Sequence, residues 1–271
     1  MGGSDIAISD LCILFALRRE ALFFRRTFPP HTRFPGAPCW AWFCGPAWLT
    51  VLVVETGVGA AATEQALSWL LSQPRLGQVP YRPRLVLAAG FAGALQPELR
   101  VGDLVLATEL ADTAGNVWPT TWPGALPAGE WQPPLQRGRL VTAAALLGVP
   151  QQKQQLGQQQ QALAVDMEAA TIARHCTQHE VPFGCLRAIS DEAATALSPQ
   201  LIEMLHGGRV TPGRWLRAVA CRPRLLAECW RLARDTRRAA RQLGLGLGEV
   251  LTLTLPWLAE EGQGASRSAT E

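Results

Sequence analysis

Short apolar runs recur along the chain, and each gives way to a glycine turn, an acid or a stretch of helical period. Residues 11–17 (LCILFAL), 48–54 (WLTVLVV), 85–89 (LVLAA), 104–108 (LVLAT), 139–142 (RLVT) and 183–189 (FGCLRAI) read as strands. Several are apolar at every position, which predicts burial on both faces. Helical patterns follow Glu20, occupy residues 60–71, and run from about Asp166 to His179. Residues 28–46, rich in Pro and Trp, predict an irregular connection or hairpin, 74–83 a loop, and the aperiodic 112–134 a loop over a site. The Gln-rich stretch 151–161 predicts a solvated helix or loop. Strands alternating with helices imply an α/β layered fold.

After about Pro199 the character changes. Pro212 and Pro223 each precede an arginine-rich helical stretch, with Leu225, Leu226, Cys229, Trp230 and Ala233 on one face of the second. Gly244 is a natural stop. These shifts divide the chain into a main α/β domain (1–205), an arginine-rich helical extension (206–250) and a disordered tail (251–271).

Charge sharpens that division. The net charge is only +3, yet residues 208–243 hold ten arginines against Glu228 and Asp235, a local +8. Lys153 is the only lysine among 25 basic residues, a bias that reads as genome composition. A 48% hydrophobic, 17% charged chain is not disordered. None of its apolar runs approaches the ~20 residues that span a bilayer. The N-terminal run lacks the preceding basic residue of a secretory signal. Seven cysteines, an odd set with no CxxC pair, argue for a reducing cytoplasm.

Two carboxylates stand out within residues 162–191, ALAVDMEAATIARHCTQHEVPFGCLRAISD. Glu168 and Asp191 follow apolar strands, where ligand crevices form in open α/β sheets. Gly57-x-Gly59-x-x-Ala62 has the outline of a dinucleotide turn, but no acid follows about 20 residues on. Its glycines leave room for the backbone to approach a small anion or sugar. His175, His179 and Glu168 share a helical spacing but form no HExxH, and no metal site is expected. No GxSxG elbow supports a hydrolase triad. Gly90-Phe91-Ala92-Gly93 reads either as a ligand-facing turn or as a plain strand–helix turn.

Four blocks in order carry a resemblance. FALRREA, LAAGFAGALQPELRVGDLVLAT, AVDMEAATIA and VPFGCLRAISD resemble the purine nucleoside phosphorylase / methylthioadenosine–adenosylhomocysteine nucleosidase superfamily. KQQLGQQQQALAVDMEAA and the arginine-rich extension look closest to its hopanoid-associated branch. The resemblance implies a three-layer αβα phosphorylase/hydrolase-like fold, its central sheet mixed and mostly parallel, with a C-terminal helical extension.

It also implies roles. Asp191 resembles the general acid at purine N7, steadied by Ser190 and kept protonated by desolvation. Glu168 resembles the anchor of both ribose hydroxyls, Met167 the floor beneath the ribose, and Glu20 the base that activates water. Gly90, Phe91 and Gly93 would line the substrate, and Arg187 would support the site or pair with Glu168 or Asp166. Phe91, Ala94 and Leu146 depart from the family pattern toward an apolar pocket, with Phe91 a candidate for stacking on the base. The implied activity is cleavage of the glycosidic bond of an adenine nucleoside, with adenosylhopane as substrate. The alternatives are methylthioadenosine or adenosylhomocysteine, or a non-catalytic membrane-surface binder. No cofactor is implied, inorganic phosphate being a co-substrate if the enzyme is a phosphorylase. Nucleic acid is not an expected partner. The expected protein is a cytoplasmic homo-oligomer, a dimer, touching the inner membrane through residues 208–243, unless that helix is an ordinary packed appendage or an oligomer contact.

Overall fold

The computed structural model describes residues 11–30, 32–33, 37–44, 51–72, 75–76, 79–80, 83–121, 133–206 and 223–268. In β1 (Leu11–Phe15) every side chain is buried, and the alternation sorts them onto two faces. Leu11, Ile13 and Phe15 join one apolar cluster, Cys12 and Leu14 another. Such a strand needs cover on both sides, and the rest of the chain provides it.

Around β1 lie β4 (Val51–Glu55) and β7 (Leu85–Ala94), both parallel to it. Beyond β4, β3 (Trp40–Cys44) and the short β2 (Thr32–Arg33) form an antiparallel edge, the hairpin alternative of the stretch expected to be an irregular connection or hairpin. On the other side β12 (Phe183–Asp191) runs parallel to β7 and antiparallel to β8 (Leu104–Asp112). The sheet continues in parallel through β10 (Leu135–Thr142) to β11 (Ala164–Asp166), while β9 (Val117–Pro119) pairs with β8. Because β11 also pairs with the far end of β7, strands 7, 12, 8, 10 and 11 close into a ring. A two-stranded ribbon, β5 (Arg75–Leu76) and β6 (Val79–Pro80), occupies the stretch expected to be a loop.

One face of the sheet is covered by α2 (Ala60–Leu71) and α4 (Ala169–Gln178), through Leu67, Leu70, Ile172 and Cys176. The other takes α1 (Leu22–Thr27) and α6 (Pro223–Ser268), through Phe24, Leu243, Leu247 and Val250. The three αβα layers are therefore present, but the arginine-rich helix is one of them. Between β10 and β11 the Gln-rich stretch forms α3 (Pro150–Gln160), opened by its proline and closed by Gln161 at φ 49°. The short α5 (Pro199–His206) follows β12.

The expected stop at Gly244 and tail from 251 are both corrected, since α6 runs without a break to Ser268. Gly244 serves contact instead: a Cβ there would lie 2.8 Å from the Cβ of Phe23. The face expected to carry Leu226, Cys229, Trp230 and Ala233 together is split. Cys229 and Leu232 pack beside Leu197 and Leu201, whereas Leu226, Trp230 and Ala233 are exposed. Residues 208–222, part of the segment expected to touch membrane, lie outside the described residues. Among the described residues, no helix is long and apolar enough to cross a membrane.

Two glycines of α6 offer a matched test, because Gly248 has nothing within 4 Å of an added Cβ. Helix propensity alone favours alanine by about 1 kcal/mol at either position. We expect Gly248→Ala to raise stability by about 0.5–1 kcal/mol, and Gly244→Ala to lower it by about 1–2 kcal/mol through overpacking. Urea midpoints decide the matter, and equal shifts would show that α6 is not clamped on α1.

Candidate active site

Five side chains make up the candidate site, three acids and two cations, drawn from the turn after β1, from α3, from the N-cap of α4 and from β12. Glu20 sits in the turn after β1 and is 3% exposed. The backbone N–H groups of Leu17 and Phe91 donate to its two carboxylate oxygens, each at 2.8 Å. Burial pushes its pKa up, against the opposing pull of Arg187 and these N–H groups.

Gly90 and Gly93 belong to the extended strand β7 and not to a strand–helix turn. What fills the space beside them is protein. A Cβ at Gly90 would lie 2.2 Å from Arg187 Nη1 and 2.8 Å from Glu20 Oε1, and one at Gly93 3.0 Å from Asp191 Oδ2. Glycine is needed at Gly90 because two buried charged side chains, Arg187 and Glu20, already occupy its Cβ position. The Phe91 ring leans on the apolar core under α1 and α6, so its contribution to Glu20 is its backbone N–H.

Glu168 occupies the N-cap position of α4 and accepts a hydrogen bond from the Gly59 N–H at 2.7 Å. Gly57 and Gly59 hold φ of 91° and 85°, conformations that exclude most side chains. The small anion that this turn approaches is thus the Glu168 carboxylate. Burial, and then the neighbouring Asp166, push the Glu168 pKa up to about 7, with Arg187 and the Gly59 N–H opposing. Met167 beside it is half-buried.

Arg187 is 2% exposed and pairs with Asp166, one of the two partners open to it from the sequence. Asp166 in turn accepts from the Thr142 hydroxyl at 2.6 Å and the Ala169 N–H at 3.0 Å. His175, considered with Glu168 for a metal, has its Nε2 3.8 Å from Glu64.

Asp191 ends β12 and is 8% exposed. Ser190 Oγ donates to its Oδ1 at 2.8 Å, and its Oδ2 meets the ammonium of Lys153. The sequence reading holds this acid protonated by desolvation alone; the structure sets a buried cation on it. Lys153 and Thr142 were missed from the sequence as members of the site. The signal for Lys153 was there, in the only lysine of an arginine-rich chain. Leu146, at the position expected to face the base, packs beside Leu197 and Leu201.

These groups can do acid–base chemistry while holding a polyhydroxyl ligand. Two carboxylates, Glu20 and Asp191, lie beside glycines three residues apart on one strand, and a third, Glu168, presents acceptor oxygens nearby.

Comparison with known proteins agrees with this architecture. The model of the phosphorylase superfamily matches residues 10–125 and 121–206. The 5′-methylthioadenosine/S-adenosylhomocysteine nucleosidase of Tolumonas auensis is 33% identical over 175 residues, covering 56% of this chain and 73% of that protein. Among solved structures, the Helicobacter pylori nucleosidase of that name, in complex with a substituted pyrrolidinol, superposes with a TM-score of 0.65 at 18% identity. The match spans 91% of this chain and 99% of that one. The futalosine hydrolase of the same organism gives 0.65 at 17% identity, spanning 90% and 98%. These two likenesses concern the fold.

The raised pKa of Glu168 makes its charge a burden on the folded state. Its stability is full below the ordinary glutamate value of 4.5 and is lost as pH rises toward about 7. Glu168→Gln keeps an acceptor for the Gly59 N–H and removes that burden. We expect it to stabilise the protein by about 1–3 kcal/mol at pH 8 and by far less at pH 5. Denaturant midpoints at the two pH values test this, and a pH-independent difference would contradict it.

Proposed function

The chain belongs to the phosphorylase superfamily, and from that membership we propose that it breaks the N-glycosidic bond of an adenine nucleoside with water as the attacking group. The observation that supports this reading best is the pairing of Glu20 and Asp191 beside Gly90 and Gly93 of one strand. Such a bond breaks through an oxocarbenium-like sugar, which needs an acid at the leaving base and a base on the opposite face.

In this reading Asp191 delivers a proton to purine N7, with Ser190 fixing its Oδ1. Glu168 accepts both ribose hydroxyls, its charge favouring the cationic sugar. Met167 packs beneath the ribose. Glu20, held by two N–H groups and pushed toward a useful proton affinity by burial, takes the proton of the attacking water. Arg187 steadies Glu20 and Glu168 from below. No step calls on a metal or an organic cofactor, and phosphate enters only if it replaces water.

The substrate we favour is adenosylhopane, cleaved to adenine and ribosyl-hopane, or to phosphoribosyl-hopane if phosphate attacks. Leu17, Trp40 and Val58 support it, since these apolar side chains remain 40–50% exposed beside the Glu20 turn, the end of β4 and the Gly57–Gly59 turn. A bulky apolar 5′ group would cover them. Exposed Trp230, stacked by Arg234, also fits contact with an anionic membrane surface. The second reading, methylthioadenosine or adenosylhomocysteine, is favoured by the Tolumonas relative.

Purified protein incubated with each nucleoside, with and without phosphate, separates these readings by adenine release. We expect phosphate-independent release, fastest from adenosylhopane, and a loss of about 10²–10⁴-fold in kcat for Glu20→Gln. Release from methylthioadenosine but not adenosylhopane would move the substrate to the second reading. No release from any nucleoside would leave a binding protein on this fold.

A further inference from the structure

Helix α3 is a solvated glutamine helix in which two residues are buried, Lys153 and Gly157. Gln151, Gln152, Gln154 and Gln155 are exposed, whereas Lys153 between them is wholly buried. Lysine ordinarily keeps its ammonium in water even when its stem is covered. Here the ammonium meets Asp191 Oδ2 and donates to the Glu192 carbonyl at 3.0 Å. One turn further on, Gly157 lets α3 close on the chain at Leu95, where a Cβ would lie 3.1 Å from that residue's Cβ. The helix is seated so that this one charge is sealed in.

The choice of residue type carries the rest. Every other basic side chain of the 25 is arginine, including the buried Arg187. An arginine would hold a carboxylate at least as firmly, often through two hydrogen bonds. What a guanidinium cannot do is release its proton, whereas an ammonium can. Resting on the reading of Asp191 as the acid, we propose that Lys153 is the positioning residue that holds the proton Asp191 passes to the departing adenine. Transfer within the pair leaves an amine and a carboxylic acid, which discharges two buried ions together.

The step balances. One N–H bond of the Lys153 ammonium breaks as an O–H forms on Asp191. That proton passes to N7 of the purine as the electron pair of the C1′–N9 bond goes to the base. Water bonds to C1′ and gives its proton to Glu20. The neutral amine and protonated Glu20 then exchange protons with solvent, which restores the enzyme.

The test compares wild type, Lys153→Arg, Lys153→Met and Asp191→Asn on two substrates sharing one 5′ group. One is the adenine nucleoside; the other is the 4-nitrophenyl riboside, whose leaving group departs as an anion and needs no proton. All three variants are expected to lose about 10²-fold or more in kcat for adenine release, the range of general-acid contributions, with KM little changed. They should cleave the nitrophenyl riboside nearly as wild type does. Thermal melts establish that each variant folds, and Lys153→Gln replaces any that does not. Wild-type adenine release by Lys153→Arg would overturn the proposal, because charge alone would then suffice. Equal losses on both substrates by the folded variants would overturn it as well, leaving Lys153 a structural role. Failure of wild type to release adenine would instead refute the proposed function, on which the inference depends.

Discussion

A guanidinium that is almost fully buried is an awkward thing to build a site on, and the surroundings of Arg187 are arranged to tolerate it. Burying a charge costs several kcal/mol unless it is paired, and stripping one partner from such a pair costs about 3–5 kcal/mol. Asp166 supplies the pairing, and Thr142 and the Ala169 N–H hold Asp166 so that its carboxylate is itself satisfied. With that pair in place, Glu20 and Glu168 lie within reach of a fixed positive charge that opposes the rise of both their pKa values. Gly90 is a further consequence, since the guanidinium lies where its side chain would be.

Backbone amides do the remaining electrostatic work. Glu20 takes one N–H from its own turn and one from β7; Glu168 takes one from the Gly57–Gly59 turn after β4. Each acid is therefore fixed by strands that lie next to β1 in the sheet, and the sheet order itself sets the distances between them. This is why α6 matters to the site although none of its described side chains enters it. Its Leu243, Leu247 and Val250 cover the face of β1 and β7 opposite α2 and α4. Without that cover, the strands carrying the acids would expose their inner apolar positions to water.

Local patterns made most of the fold legible. The apolar runs at 11–17 and 85–89, and 183–189 with its single arginine, read as doubly covered strands, and β1, β7 and β12 are the middle of the sheet. What failed was long-range. Gly244 looks like a stop because local propensity says so, and nothing nearby in sequence announces that Phe23 will press against it. Glu168 and Asp191 were visible as acids after strands, but Glu20 came only through resemblance, since nothing local distinguishes it from a surface acid beside two arginines. The glycines at 57, 59, 90 and 93 were read as open to a ligand. Glu168 takes the Gly59 N–H, and Arg187 and Asp191 fill the space beside Gly90 and Gly93, residues 109, 97 and 98 positions away in the chain. No period or spacing encodes such a meeting.

The two buried cations make the sharpest contrast in the molecule. Arg187 and Lys153 each sit on an aspartate, each sealed from water, in a chain that otherwise uses arginine throughout. If compositional bias alone had chosen the residues, both positions would be arginine. The Asp166 pair sits beneath the site, where the need is a permanent charge with fixed geometry, and a planar guanidinium supplies that. The Asp191 pair sits at the end of β12, where the proposed chemistry needs a proton that can leave and return, and there a guanidinium would lock the acid in its ionised form. Two ion pairs of the same outward kind thus have opposite requirements, permanence in one and reversibility in the other. The identity of the cation is the feature that separates them.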